Sequence, residues 1–392
     1  MAIEQPAQSV NVNLKGILLA VIVVCAALIA FSKLWGRRAT AEIPKITRGP
    51  LHPLTPPITA DKVTIAADLR ARDFNKLEAT LTSYQTAAEN NVTQEANVSQ
   101  AFDAFARADP AFDAPLQEWV KRSPRSYAAH LARAEFLYAE AWNARGAKWA
   151  SETSAQQFQR MDDYLAAGHK EITATLGINW KVTEAYALLI AEQQVGGSQE
   201  DCRKAADAAL KEIPASFVIR SQTMFCLEPR WGGSYEQMDQ FAAEAQTYVH
   251  ENPRLAALKG FADYDRGERM NGSDKYVPAI IYYSYYSRAI AEGGDHAAFY
   301  RGRGEAFMRL NLNNDGLEDM RRADQLWPQN RDTLQWLAYG LSAREIGKNQ
   351  EALRELNLAV DVAGPWPYEQ QLRAQIVTML AQSSRDTGAS GN

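Results

Sequence analysis

The residues that could carry chemistry in this 392-residue chain are few and poorly placed for it. Histidine occurs five times, at His52, His130, His169, His250 and His296. No two are at helical ligand spacing and no H-E-x-x-H is present, so a protein-only zinc site is not expected. Asn311-x-Asn313-x-Asp315-Gly316 imitates the start of a calcium loop, but Arg322 stands where the bidentate Glu should be. Gly302-x-Gly304 lacks a third glycine and a preceding strand. Gly340 and Gly347-Lys348 have the wrong spacing for a phosphate loop, and no G-x-S-x-G elbow exists. The acid pairs Asp162-Asp163 and Glu318-Asp319 are sequence neighbours, which point in different directions on a helix. The expectation is a non-enzyme without metal or cofactor.

Two clusters stand out as binding elements instead. Tyr276, Tyr282, Tyr283, Tyr285 and Tyr286 crowd one stretch. Tyr282 and Tyr286 share a helical face and are expected in a core, which turns Tyr283 and Tyr285 toward a neighbouring helix or a ligand. The second is Arg230-Trp231-Gly232-Gly233-Ser234-Tyr235. Its glycines permit positive φ, and Trp231 can plug the turn against the core. The alternative is a contact site carried on a loop, with Arg230, Trp231 and Tyr235 at its surface.

The elements that must position these residues are helices. No stretch sustains the alternation of a strand. Breaks recur at short intervals: Asp109-Pro110, Ser123-Pro124, Gly196-Gly197, Ile213-Pro214, Gly232-Gly233, Asn252-Pro253, Gly293-Gly294, Trp327-Pro328 and Gly364-Pro365. Apolar stripes at helical spacing lie between them, as in Leu131, Ala134, Phe136, Leu137 and Tyr138. Paired helices joined by short turns follow.

Ahead of this body, Gly16 to Ser32 carries no charge and is bracketed by Lys15 and Lys33. Seventeen residues span roughly 26 Å as a helix, and Leu34 and Trp35 extend the run. It is apolar all round, unlike a soluble-core helix. A transmembrane helix over 15–35 is expected, after a tail at 1–14. A cleaved signal peptide is the alternative, supported by Ala39-Thr40-Ala41 but opposed by the run's length and by Arg37-Arg38. The lipid bilayer is thus an expected partner of residues 16–35, in the inner membrane. Lys33, Arg37, Arg38, Lys45 and Arg48 follow the span. The positive-inside rule therefore places the large domain in the cytoplasm, with the periplasm as the alternative. Residues 36–60 read as a basic, then Pro-rich linker. A net charge of −5 without a clustered basic face gives no reason to expect nucleic acid. Cys202 and Cys226 leave one optional bridge open.

Near the C-terminus two stretches resemble the tetratricopeptide (TPR) repeat. One starts near Ala297, with Tyr300, Gly304, Phe307, Gly316, Met320, Ala323 and Pro328 at signature positions. The next starts near Thr333, with Trp336, Tyr339, Gly340, Ala352, Leu356 and Ala359. A weaker copy begins near Thr183, and another ends with Tyr282, Tyr286 and Ala289. The resemblance implies an all-α, right-handed solenoid of helical hairpins, degenerate over 61–290 and clear over 291–384; a disordered tail is expected at 385–392. It also implies a protein partner lying in a groove lined by Arg301, Glu305, Met308 and Arg309, then Leu337, Leu341, Arg344 and Glu345. Arg301, Arg309 and Arg344 would clamp acidic groups. From about Leu69 to Gly260 the chain resembles an uncharacterised bacterial domain family, on Arg72-Asp73-Phe74 and Pro229 to Glu236. That implies helical hairpins and no activity.

A membrane-tethered adaptor is the reading these features favour. A small-ligand receptor or enzyme sited in the middle region, and a self-associating structural envelope protein, are the alternatives.

Overall fold

Helix starts are written locally. Asp61 and Asp73 accept from backbone amides of the turns they open, Asp109 caps a helix with Pro110 at its first position, and Ser126, Ser154, Ser198, Ser216, Ser234 and Asn330 do likewise. Gly146, Gly294 and Gly364 end helices. The computed structural model describes residues 48–51, 56–273, 275–343, 346–364 and 367–389. Among them are seventeen α-helices and no strand.

The first five are α1 (Lys62–Arg70), α2 (Phe74–Asn90), α3 (Glu95–Phe102), α4 (Pro110–Arg122) and α5 (Tyr127–Arg145). Then come α6 (Ala155–Ile178), α7 (Thr183–Gly196), α8 (Gln199–Glu212), α9 (Phe217–Cys226) and α10 (Tyr235–Ala245). A 3-10 stretch, Pro253–Gly260, precedes α11 (Phe261–Asn271), α12 (Ala279–Gly293), α13 (Ala297–Arg309) and α14 (Asn313–Leu326). The last are α15 (Arg331–Ser342), α16 (Asn349–Ala363) and α17 (Pro367–Ala389).

Neighbours in sequence pack as hairpins: α5 with α6, α7 with α8, α11 with α12, α13 with α14, α15 with α16. This is a TPR-like helical array. In the α13–α14 hairpin Gly304 and Gly316 face each other, and a Cβ on either would come 3.0 Å from the other's carbonyl oxygen. Small residues there let the two helices approach, while Tyr300, Phe307, Met320 and Ala323 fill the core.

The expected membrane helix at 15–35 lies outside the described residues. No described helix is long and apolar enough to cross a membrane. The end of the Pro-rich linker is not a free spacer: the amides of Thr59 and Ala60 donate to Asn97 Oδ1 at 2.7 and 3.2 Å. The expected disordered tail at 385–392 overlaps α17, which runs to Ala389, and residues 390–392 lie outside the described residues. Cys202 and Cys226 form a disulfide that ties α8 to the end of α9, with Cα atoms 6.4 Å apart.

The array is closed by contact between its two ends. Lys62 N–H donates to Gln329 Oε1, and Gln329 Nε2 to Asp61 Oδ1, both at 2.8 Å. Gln100 donates to the Pro328 carbonyl. Arg107 donates to the carbonyls of Asp361 and Val362, at the end of α16. Val63 packs on a small core of Leu334, Ala359 and Val362. Helix α3, almost wholly buried, lies against α1, α2, α5, α7 and α9.

Candidate functional site

The two clusters expected as separate binding elements meet in one ionic network. The 3-10 turn 229–231 and α10 bring Arg230 and Tyr235 to α11. Glu228 accepts from Arg230 Nε, and Arg230 Nη2 lies 3.5 Å from Asp265 Oδ1. Tyr235 donates its hydroxyl to Asp265 Oδ2 at 3.0 Å. The ring of Tyr235 carries the Arg266 guanidinium 3.9 Å from its centroid. Arg266 and Arg288 both bind Asp263, and Arg288 lies over Tyr285 at 4.5 Å. Arginines and acids thus alternate from Glu228 to Tyr285.

The turn holds because of its glycines. Gly232 has φ +92, and a Cβ on Gly233 would sit 2.1 Å from the Leu227 carbonyl oxygen. Trp231 is half-buried within the turn. Burial pushes the Glu228 carboxyl up to about 7, with the Asp265 charge adding to it and Arg230 opposing it.

The second half of the network is built on α11, α12 and α13. Tyr286 donates to Glu268 at 2.7 Å, and Arg301 donates to the Tyr264 hydroxyl at 2.9 Å. Arg301 also lies 3.6 Å from Asp332 of α15. Burial opposes the charge of Arg301, but Tyr264, Glu268, Asp332 and Glu305 outweigh it and hold its pKa above the ordinary value. Glu268 is raised by burial and feels both Arg301 and Arg230, which makes it the link between the two halves. Glu305 accepts from Asn271 and Arg309.

Several expected groove residues therefore sit elsewhere. Arg301 is spoken for within the protein, its side chain 19% exposed. Met308 and Leu341, at 2% and 1% exposure, and Leu337 fill the repeat core, because α13 is covered by α14 and α15. Tyr283 packs on Phe307 with centroids 5.2 Å apart and is buried too. Arg344 and Glu345 lie outside the described residues. Of the three arginines expected to clamp acids, Arg301 is paired within the protein and Arg309 with Glu305.

What remains accessible is aromatic. Arg309, half-exposed, lies over the Trp336 ring at 5.6 Å, and Trp336 meets Tyr339 edge to face at 5.3 Å. Tyr339 is 39% exposed and Tyr368 45%. Burial raises the Tyr368 phenol, with Tyr339 and Glu305 adding to the rise and Arg309 opposing it. Tyr282 feels Arg309, Glu305 and Tyr276, and Tyr276 is 91% exposed. Arg309, Trp336 and Tyr339 thus form one accessible aromatic strip, and exposed Tyr368 on α17 is within electrostatic reach of it. Sequence reasoning missed Tyr368 entirely and treated Trp336 and Tyr339 only as repeat signature residues.

A family model described as a domain of unknown function (DUF4034) matches residues 65–167. That span contains Arg72-Asp73-Phe74, where Arg72 has φ +57, Asp73 caps α2 and Phe74 stacks on Trp119. The Pro229 to Glu236 turn lies outside it. No curated protein matches the chain. Among solved structures, the chain is similar to the TPR domain of P58(IPK) at 12% identity and a TM-score of 0.31, over 82% of this chain and 99% of that one. It is also similar to yeast Tom70 at 12% identity and a TM-score of 0.34, over 81% and 74% respectively. The hairpin assignment rests on the packing of α13 with α14 and α15 with α16.

Proposed function

We propose that this chain is a membrane-tethered protein-binding scaffold, held at the bilayer by residues 16–35, whose partner docks on the aromatic strip of α13, α15 and α17. The observation that supports it is the grouping of Trp336, Tyr339 and Tyr368 around Arg309. Tyr, Trp and Arg are the residues most enriched where truncation weakens protein interfaces. Flat rings at this density suit a segment with aliphatic or proline side chains. Arg309 is already paired with Glu305, so the strip carries little net charge and the partner segment need not be acidic.

The disulfide between Cys202 and Cys226 supports the periplasmic side for this body, against the cytoplasmic side favoured by the flanking charges, since disulfides persist in oxidising compartments. A membrane-impermeant probe on intact cells tests this. Labelling of an introduced exposed cysteine, such as Ser151→Cys, supports the periplasm; labelling only after lysis sinks that placement.

The scaffold reading is tested by crosslinked co-purification from native membranes. The full chain is compared with Tyr339→Ala/Tyr368→Ala, whose changes are at the surface and spare the fold by circular dichroism. One partner, crosslinked through an apolar segment to residues 336–368 and depleted at least about tenfold in the variant, is expected. Crosslinks only between copies of the chain would transfer the strip to self-association. Equal recovery with both proteins overturns the assignment of the strip.

A further inference from the structure

A cavity of about 390 Å³ opens between the 3-10 stretch 253–260, the start of α13 and the end of α14. Its apolar walls include Ile58, Phe217, Ala257 and Trp327. Its polar lining includes Arg254 and His296, each with one buried nitrogen that finds no acceptor or donor. Arg254 Nε and His296 Nδ1 are buried without a hydrogen-bond partner, and the Arg254 guanidinium has no ion pair among the described residues. Other arginines of the body find acids or carbonyls: Arg303 binds Asp319, Arg301 binds Tyr264 and Asp332, and Arg107 binds Asp109 and two carbonyls. A buried guanidinium nitrogen without an acceptor is costly, so it is an exception that needs a reason.

The backbone points the same way. Helix α13 has thirteen residues, and its N-cap His296 supplies no side-chain hydrogen bond. The amides of Phe299 and Tyr300 turn back to the His296 carbonyl, while those of Ala297 and Ala298 find no acceptor among the described residues. Free amides at a helix start favour an anion. The one acid lining the cavity, Asp295, already accepts from the Tyr300 hydroxyl at 2.6 Å. Glu95 lies near Arg254 but is held by Ser216, the Phe217 amide and Asn252. We infer that this cavity is a binding site for a small carboxylate with a compact apolar body, its carboxylate on Arg254 and the α13 amides and its body against Phe217 and Trp327. The imidazole of His296, pushed down to about 3 by burial and by Arg254 and Arg301, stays neutral and offers one further hydrogen bond. The volume is within the range of drug-sized ligand pockets. This site is independent of the surface strip.

The test is calorimetry on the full chain in lipid nanodiscs, with 4-phenylbutyrate, octanoate, 4-phenylbutanol and inorganic phosphate as probes. Saturable one-to-one binding of a carboxylate is expected, with 4-phenylbutanol and phosphate at least about tenfold weaker. Arg254→Met should lose at least about tenfold in carboxylate affinity while melting no lower than the parent, because it removes an unpaired buried charge. Ala257→Leu, which fills the cavity without touching Arg254, should lose binding as well. Absence of saturable carboxylate binding, an equally tight alcohol, or unchanged affinity in Arg254→Met each overturns the inference. Phosphate binding as tightly as 4-phenylbutyrate overturns the apolar half of it.

Discussion

Glu95 shows how a single side chain is governed by what surrounds it. Its carboxylate accepts from Ser216 Oγ at 2.6 Å, Phe217 N at 2.7 Å and Asn252 Nδ2 at 2.8 Å, yet burial outweighs these bonds and pushes its pKa up to about 7. Burial pushes Glu184, Glu192 and Glu228 up to about 7 as well. A carboxyl whose pKa is raised by folding binds more protons in the folded state than in the unfolded one. Its contribution is fully present below the ordinary carboxylate pKa and is lost as pH rises through about 7. The protein should therefore unfold more easily at pH 8 than at pH 5. Glu95→Gln keeps the Oε1 acceptor and removes the titration. It should flatten that decline by about 2 kcal/mol, read from urea midpoints across pH. An unchanged slope in the variant would show that Glu95 does not contribute to it.

At the scale of elements, the angle between α11, α12 and α13 is set by two glycines gripping one ring. Tyr286 of α12 is fully buried. A Cβ on Gly267 of α11 would meet its ring at 2.7 Å, and one on Gly302 of α13 at 2.5 Å. An aromatic ring packed on both faces has nowhere to move, and its hydroxyl is fixed on Glu268. Gly302→Ala should cost about 1–3 kcal/mol in urea unfolding, despite the gain in helix propensity. Gly177→Ala on α6, where a Cβ meets nothing within 4 Å, should be neutral or slightly stabilising. Equal effects at the two sites would mean that close packing around Tyr286 is not the controlling factor. The same logic explains the loop ahead of α10: only a glycine fits against the Leu227 carbonyl, so Arg230 is delivered to Asp265 by backbone geometry.

For the whole molecule the decisive feature is the contact between its ends. In an open array each hairpin touches only its neighbours and the terminal ones fray first. Here Arg107, on the segment after α3, donates to the last carbonyls of α16, and Gln329 bridges to Asp61 and Lys62. Arg107→Ala removes two long-range bonds and should cost about 1–3 kcal/mol. The loss should be uneven. Amide hydrogen exchange should rise at least about tenfold in α15 and α16 and stay unchanged in α5 and α6. A uniform rise across the body would mean that closure is not local to that seam.

Much of this architecture was legible in the sequence because its determinants act within one helical turn. The breaks at Gly293-Gly294 and Trp327-Pro328 fall where α12 and α14 end, and Tyr282 and Tyr286 share a buried face four residues apart. Gly304 and Gly316 mark the close crossing of a hairpin that a short turn had already made antiparallel. Capping, turn geometry and the 3.6-residue period need only neighbours in the chain. The availability of a charged or aromatic group has no such local signature. Arg301 read as a groove arginine until Tyr264, 37 residues earlier, and Asp332 on another helix closed around it. Nothing near Arg254 in the chain marks it, yet its Nε is left without an acceptor at the wall of a cavity that five separated segments line. Desolvation and pairing depend on which distant residues arrive alongside, and that is decided only when the helices pack.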